Sequence, residues 1–256
     1  MEQDNNEKQV SGVNRAITIL ETLSNIERIN LESLSKTTNI PKATLLRFLQ
    51  SLISLGYVNR DISDQYSLTL KMFSVGSKAL KHTDLINTVR PYAKELCNNF
   101  GETVHMGIKD GETAIYVLKE ESSYTLRMYS RIGKVIPLYC TAIGKIFLSQ
   151  MKEKEFDEYL LNNPLKPFTK NSLRTKEALK DEINRIKFQG WSMDNEEHEE
   201  NVICIACPIF DYTGNVIAAL SVSWPIFRFE KNETANNIAK IKNCTLMISK
   251  ILGFEG

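Results

Sequence analysis

Apolar residues recur with the period of a helix in the first third of the chain and with the period of a strand later on. In 13–24, Ala16, Ile19, Leu20 and Leu23 fall on one stripe and predict a first helix. Leu31 to Thr38 reads as a short second helix, with Asn30 as its cap and Asn39 where a left-handed residue can end it. Pro41 suits the first position of a third helix, 41–55, whose Leu45, Phe48, Leu49 and Leu52 repeat at i, i+3, i+4 and i+7 before Gly56 stops it. Strand candidates at 57–60 and 65–68 flank a polar turn at 61–64, the pattern of a wing. The expectation for 13–68 is a winged helix-turn-helix, after a polar tail over 1–12 expected to be disordered. The stretch 69–83 continues as a helix with Met72, Phe73, Val75, Ala79 and Leu80. It suits a linker or a contact between copies, and equally the core of the first domain.

A second domain is expected from 84 to 256. Asp84 opens a helix through Leu85, Val89, Ala93 and Leu96 that Pro91 should kink or divide. The pattern then turns to strands: TVHMGIKDGETAIYVLKEE as two strands about Asp110-Gly111, then TLRMYSRIG and VIPLY. Helices return in TAIGKIFLSQM, EKEFDEYLLNN and TKEALKDEINRIKFQG, followed by strands in NVICIACPIFD and NVIAALSVSWP and a last helix from Lys231 to Leu252. Such mixing implies an α+β domain, an antiparallel sheet with helices packed on it.

Charge changes the picture only locally. The 256 residues carry a net charge of +1, so binding to a polyanion would need a local patch. One exists: between Ser33 and Arg60 stand Lys36, Lys42, Arg47 and Arg60 with no acid. The polar face of the third helix carries Lys42, Thr44, Leu46, Arg47 and Gln50, residue types that contact phosphates and base edges. A helical hairpin that only packs is the competing reading. No run of about 18 apolar residues is present, which argues against a membrane span. MEQDNNEKQV lacks the apolar stretch of a signal peptide, and the expected location is cytoplasmic. Five cysteines, an odd number, fit reduced thiols; the lone Cys204/Cys207 pair inside VICIACPIF reads as two buried strand residues rather than a redox or metal pair.

Three segments of the second domain could build a polar pocket. In CTAIGK, Thr141 can cap a helix whose first amides, on Ala142 and Ile143, would then face an anion; an ordinary capped helix reads the same way. Ser221 and Ser223 lie two apart, so a strand turns both hydroxyls to one side, toward a ligand or toward neighbouring side chains. The run DNEEHEE from Asp194 reads first as a solvated loop, and His105 as a core residue on a strand. Gly-rich phosphate loops, GxSxG and HExxH are missing, so an enzyme reading is poor; no catalytic residue, metal or cofactor is expected.

The blocks IPKATLLRFLQSLISLGYV, YSLTLK, PLYCTAIGK, DNEEHEE, CIACPIFDYTG and IAALSVSWP, in that order, give the chain its resemblance to the isocitrate lyase regulator (IclR-type) family of bacterial transcription regulators. The resemblance spans roughly Val13 to Gly253. RFLQSLISLGYV, DQYSLTLKMFSVGSKAL, LRMYSRIG and PLYCTAIGK resemble most the branch that governs 2-keto-3-deoxygluconate and pectin breakdown. The resemblance implies a winged helix-turn-helix, a linker helix over 69–83 and a GAF-like effector domain, working as a dimer or tetramer on double-stranded operator DNA. It implies a small organic acid as effector. It assigns the pocket to the Ala142 and Ile143 amides, Asp194, Cys204, Ser221 and Ser223, with Met128 and Ile136 as apolar lining. Two positions depart from the family pattern. Asn201-Val202-Ile203 stands where relatives commonly carry Gly-Leu-Arg, and Trp224 is bulky for a place beside the pocket.

Overall fold

The computed structural model describes residues 3–80, 85–125 and 130–255. The chain divides into two compact units, Met1–Thr83 and Asp84–Gly256.

The first unit is three helices and a small sheet. Helix α1 spans Gln3–Ser24, so the segment expected to be a disordered tail is helical from Gln3 onward; Glu, Gln and Lys there favour helix once α1 is nucleated. The strand β1 (Ile29–Asn30) leads into α2 (Leu31–Thr38). Asn30 caps α2 by accepting from the Ser33 amide at 2.9 Å, and Asn39 ends it in the left-handed region at φ 59°. Pro41 stands one position earlier than expected, as the cap of α3 (Lys42–Ser54) rather than its first residue. The wing is β2 (Val58–Arg60) and β3 (Gln65–Leu68), joined by β1 as a third strand that the short Ile29–Asn30 segment gave no periodicity to reveal. Ile19, Leu34, Leu45, Leu49, Val58 and Tyr66 form the buried core. Helix α4, Lys71–Leu80, completes the unit.

The second unit opens with α5 (Leu85–Phe100), which carries Pro91 in its interior; the Asp84 cap lies outside the described residues. Its six-stranded antiparallel sheet runs β6-β5-β4-β9-β8-β7. In chain order these are β4 (Thr103–Asp110), β5 (Thr113–Glu120), β6 (Val135–Pro137), β7 (Ser192–Asn195), β8 (Val202–Phe210) and β9 (Val216–Pro225). Of the TLRMYSRIG strand, 126–129 lie outside the described residues, and Thr125 and Ser130 to Gly133 are not strand. Between β6 and β7 come α6 (Ala142–Ser149), α7 (Glu153–Asn162) and α8 (Lys176–Gln189), and α9 (Thr234–Ile251) closes the chain.

Helix α6 is buried along its whole length and packs on one sheet face. Two glycines permit this. A Cβ on Gly107 of β4 would lie 2.8 Å from Ile143 Cγ2, and one on Gly144 would lie 2.5 Å from the Leu138 carbonyl oxygen and 2.6 Å from that of Pro137. Helices α5 and α9 serve the opposite face. All five cysteines are free thiols. Among the described residues no helix is long and apolar enough to cross a membrane, and no cluster of ligating side chains is placed for a metal.

Because backbone, not a flexible side chain, faces Gly144, Gly144→Ala should destabilise this unit by about 1–3 kcal/mol. Urea unfolding of the variant should show a lower midpoint; an unchanged midpoint would contradict the packing of α6 described here.

Candidate functional site

On the first unit, α3 buries Leu45, Leu49 and Leu52 and exposes Lys42, Arg47 and Gln50, with Thr44 and Leu46 half-buried. Arg47, Thr44 and Gln50 share an open groove with Ser51, Ser54 and Arg15 of α1. Arg15 was missed in the sequence because α1 shows its stripe only on the apolar side. The patch is less free of acids than its sequence suggests. Glu32, just before the acid-free stretch, lies 3.2 Å from Lys36 and 3.9 Å from Lys42, and Arg60 pairs with Asp64 of the wing turn at 2.8 Å. These pairs are exposed and weak, so a phosphate can displace them.

On the second unit, the candidate residues converge through sheet register. Asp194 of β7, Cys204 of β8, Ser223 of β9 and Thr103 of β4 form one row across four strands. Ser192, Ala206, Ser221 and His105 form the adjacent row on the same face. The start of α6 covers these rows. Thr141 caps it, its hydroxyl accepting from the Gly144 amide at 3.1 Å and donating to the Pro137 carbonyl at 2.7 Å. The first helical bond is Lys145 N to Thr141 O at 2.9 Å, which leaves the amides of Ala142 and Ile143 for an outside acceptor. Ser192 fixes this end to β7 by donating to the Ala142 carbonyl at 2.5 Å.

The cavity is partly open to solvent and tight, with about 30 Å³ of accessible space inside it. It brings together Ala142, Ile143, Asp194, Cys204, Ser221 and Ser223. Ile136 lies on the same sheet face but outside the lining: it is buried beneath α6 in the core with Ala114 and Ile143. Met128 lies outside the described residues.

The acidic run is not a solvated loop. Its first residues form edge strand β7, and Asp194 is only 4% exposed. Asp194 Oδ1 accepts from the amides of Glu197 at 2.7 Å and His198 at 3.3 Å. Burial outweighs these bonds and pushes its pKa up to about 7, with the nearby Glu197 charge acting in the same direction. The Cys204 thiol donates to Ser223 Oγ at 3.2 Å, and burial holds it well above the usual thiol range. Asn201 occupies the left-handed region at φ 63°, so the turn survives the loss of glycine. Trp224 turns away from the cavity and packs edge-on against Phe100 and Phe229; its register beside Ser223 puts it on the opposite face.

Several lining residues were missed in the sequence. His105 was expected in the core and instead joins the cavity, as do Tyr116, Ser130, Lys134, His198 and Glu199. Tyr116 reaches this face because β5 bulges against β4: the register passes from Met106↔Leu118 to Gly107↔Tyr116, leaving Val117 as the extra residue. No alternation pattern could announce that inversion. For His105 the signal was available, since it lies two residues from Thr103 on a strand.

A winged helix-turn-helix followed in the chain by an α+β unit with a helix-capped polar cavity defines a transcription regulator that carries its own ligand sensor. The chain belongs to the IclR family of bacterial transcriptional regulators: residues 12–61 match the IclR helix-turn-helix domain and residues 77–250 the bacterial transcriptional regulator IclR C-terminal domain. It is a ligand-responsive DNA-binding regulator, and the families and relatives it matches are regulators, not enzymes. It is 38% identical over 253 residues to the HTH-type transcriptional regulator KdgR of Escherichia coli, covering 98% of this chain and 96% of that protein. To KdgR of Dickeya chrysanthemi it is 39% identical, covering 98% of this chain and 83% of that protein. The crystal structure of Thermotoga maritima IclR superposes with a TM-score of 0.80 at 29% identity, covering 96% of this chain and all of the other.

The Asp194 titration gives a test with a definite sign. A carboxylate ligand in the cavity disfavours the ionised Asp194, so binding takes up a proton when Asp194 starts ionised. Affinity for such a ligand should be flat below pH 7 and fall as pH rises above about 7, by at most tenfold per unit. Asp194→Asn should flatten the profile. Calorimetry across this range checks both; a wild-type affinity that rises with pH would contradict the arrangement.

Proposed function

We propose that the chain represses genes of sugar-acid breakdown and is released from its operator by a hydroxylated 2-keto acid, with 2-keto-3-deoxygluconate the first candidate. The observation that carries this is the convergence of free amides at the start of α6 with Asp194, Cys204, Ser221 and Ser223 in one buried cavity. A carboxylate suits the amides at the positive end of a helix. The keto oxygen and neighbouring hydroxyls need donors and acceptors in fixed places, and the serine hydroxyls and Asp194 supply them. The sequence blocks shared with the branch governing 2-keto-3-deoxygluconate breakdown support the choice of acid. Release follows when the acid prefers the state that does not bind DNA, since a ligand moves an equilibrium only by its differential affinity. Titration of the full chain with the keto acid tests the site. Ser221→Ala/Ser223→Ala should weaken binding roughly tenfold or more; equal affinity in this variant and wild type would place the ligand elsewhere.

DNA recognition is proposed for α3 in the major groove, with Lys42, Thr44, Leu46, Arg47, Gln50 and wing Arg60 on the interface. Arg47→Ala should weaken operator binding and relax base preference, by about 1–3 kcal/mol of discrimination if the contact is bidentate. Lys42→Ala should weaken binding to all sequences about equally. Gel-shift titrations in which neither variant loses affinity would overturn the assignment.

The chain is further proposed to act as a dimer or a pair of dimers in the cytoplasm, with α4 as linker. A single helix-turn-helix reads too few base pairs to select a site, and symmetric pairing answers with a palindromic operator. Exposed apolar side chains are available for it: Val13 and Ile17 on α1, and Phe73 and Val75 on α4. Sedimentation at micromolar concentration should give a dimer or larger; a monomer with a non-palindromic footprint would contradict pairing.

A further inference from the structure

The ligand roles proposed above use only part of the cavity. Asp194, Cys204 and the two serines come from β7, β8 and β9, with α6 over them. Of the remaining lining, His105, Tyr116, Ser130 and Lys134 come from β4, β5 and the approach to β6, the far edge of the sheet from β7, and His198 and Glu199 come from the turn after β7. That half is built from His105, Tyr116, Ser130 and Lys134, none of which the carboxylate or keto oxygen needs.

Its chemistry is specific. His105 is 1% exposed, and its Nε2 lies 2.7 Å from Ser130 Oγ while its Nδ1 lies 3.5 Å from Ser223 Oγ, so its ring bridges the two halves. Tyr116 stacks on that ring, centroids 4.4 Å apart and planes 21° from parallel. Burial, helped by Lys119 and Lys134, lowers the His105 pKa to about 3, and burial with Lys134 lowers that of His198 to about 4. Both imidazoles are therefore neutral at neutral pH, and a neutral imidazole offers one donor and one acceptor. Uncharged, neither ring draws an anion, and His105 spends its two nitrogens on the Ser130 and Ser223 hydroxyls and holds them in place. Lys134 is half-buried, lines the same cavity and makes no ion pair among the described residues. Glu199 also lines it. A ligand hydroxyl can accept from Lys134 and donate to Glu199, whereas a phosphate would meet that carboxylate with a single ammonium to offset it.

We propose that His105, Tyr116, Ser130 and Lys134 form a second subsite that takes the hydroxylated tail of the effector, so that the cavity selects a sugar-derived polyhydroxy keto acid over a short keto acid. This rests on reading the cavity as a keto-acid site. A short acid such as pyruvate fills the amide and serine end and gains nothing from Tyr116 and Lys134, whereas a hydroxylated tail adds hydrogen bonds there.

The experiment is calorimetry on the full chain with pyruvate and with 2-keto-3-deoxygluconate, for wild type, Lys134→Met, Lys134→Arg and Ser221→Ala/Ser223→Ala, with melting curves to confirm folding. Wild type should bind the sugar acid roughly tenfold to a hundredfold more tightly than pyruvate. Lys134→Met should lose most of that difference, weakening the sugar acid far more than pyruvate, and Lys134→Arg should keep it. Equal wild-type affinity for the two acids would overturn the subsite. So would a Lys134→Met variant that weakens both acids alike, because that is the signature of charge at a distance. Tighter binding of a phosphorylated sugar acid than of its hydroxyl parent would also overturn it. If the serine variant weakens both acids while Lys134→Met weakens neither, the subsite fails and the keto-acid site stands. If wild type binds neither acid, both fail. Should Lys134→Met not fold, Ser130→Ala replaces it, with the same loss expected for the sugar acid alone and the same contrary results overturning the subsite.

Discussion

Lys145 has no exposed surface, and its ammonium lies against the carboxylates of Glu182, at 3.2 Å, and Glu197. Taking such a charge out of water costs several kcal/mol unless it is paired in good geometry, so α6 can sit where it does only with both acids in place. Glu182 belongs to α8 and Glu197 to the turn after β7. One side chain therefore ties the helix whose first amides face the cavity to the turn that follows Asp194 and β7. The same turn is held from its other side: Thr169 Oγ1 donates to the Glu196 carbonyl at 2.5 Å, and Ser172 Oγ donates to that of Glu197 at 2.6 Å. The Glu197 amide then closes the circuit on Asp194 Oδ1. The polar end of the cavity is positioned by this network more than by the sheet, whose edge strand β7 is short.

The network also explains which parts could be read from the sequence. Local signals were legible wherever a residue acts on its own neighbours: Asn30 and Asn39 at the ends of α2, Thr141 at the start of α6, and the paired serines of β9. Cavity chemistry set by distant partners was not. The acids after Asp194 suggest solvent, because nothing nearby in sequence reveals that Lys145 and the Thr169 and Ser172 hydroxyls will meet that turn. Strand β1 is too short to show alternation. The bulge at Val117 depends on the pairing of β5 with β4, so the side that Tyr116 takes is a property of the sheet rather than of the strand. The same limit applies to Trp224, bulky for a place beside the pocket in the sequence but set on the far face by strand register.

In the first unit, the hydrophobic face of α3 was readable because it follows a single helix, and Leu45, Leu49 and Leu52 are buried as its period implies. The charge balance of the opposite face was only partly readable. Glu32 belongs to another helix, and it approaches Lys42 across the turn between α2 and α3. The resulting surface is a mild patch on a nearly neutral chain. The operator contact proposed for it draws its phosphate attraction from a few side chains, so in that reading selectivity rests on base contacts.

The seat proposed for a carboxylate effector is the pair of free amides at the start of α6. The amide resonances of Ala142 and Ile143 report on this directly when the full chain is titrated with 2-keto-3-deoxygluconate. Both should shift and saturate together, at the same concentrations that release operator DNA. Saturation that moves other resonances while these two stay fixed would contradict it.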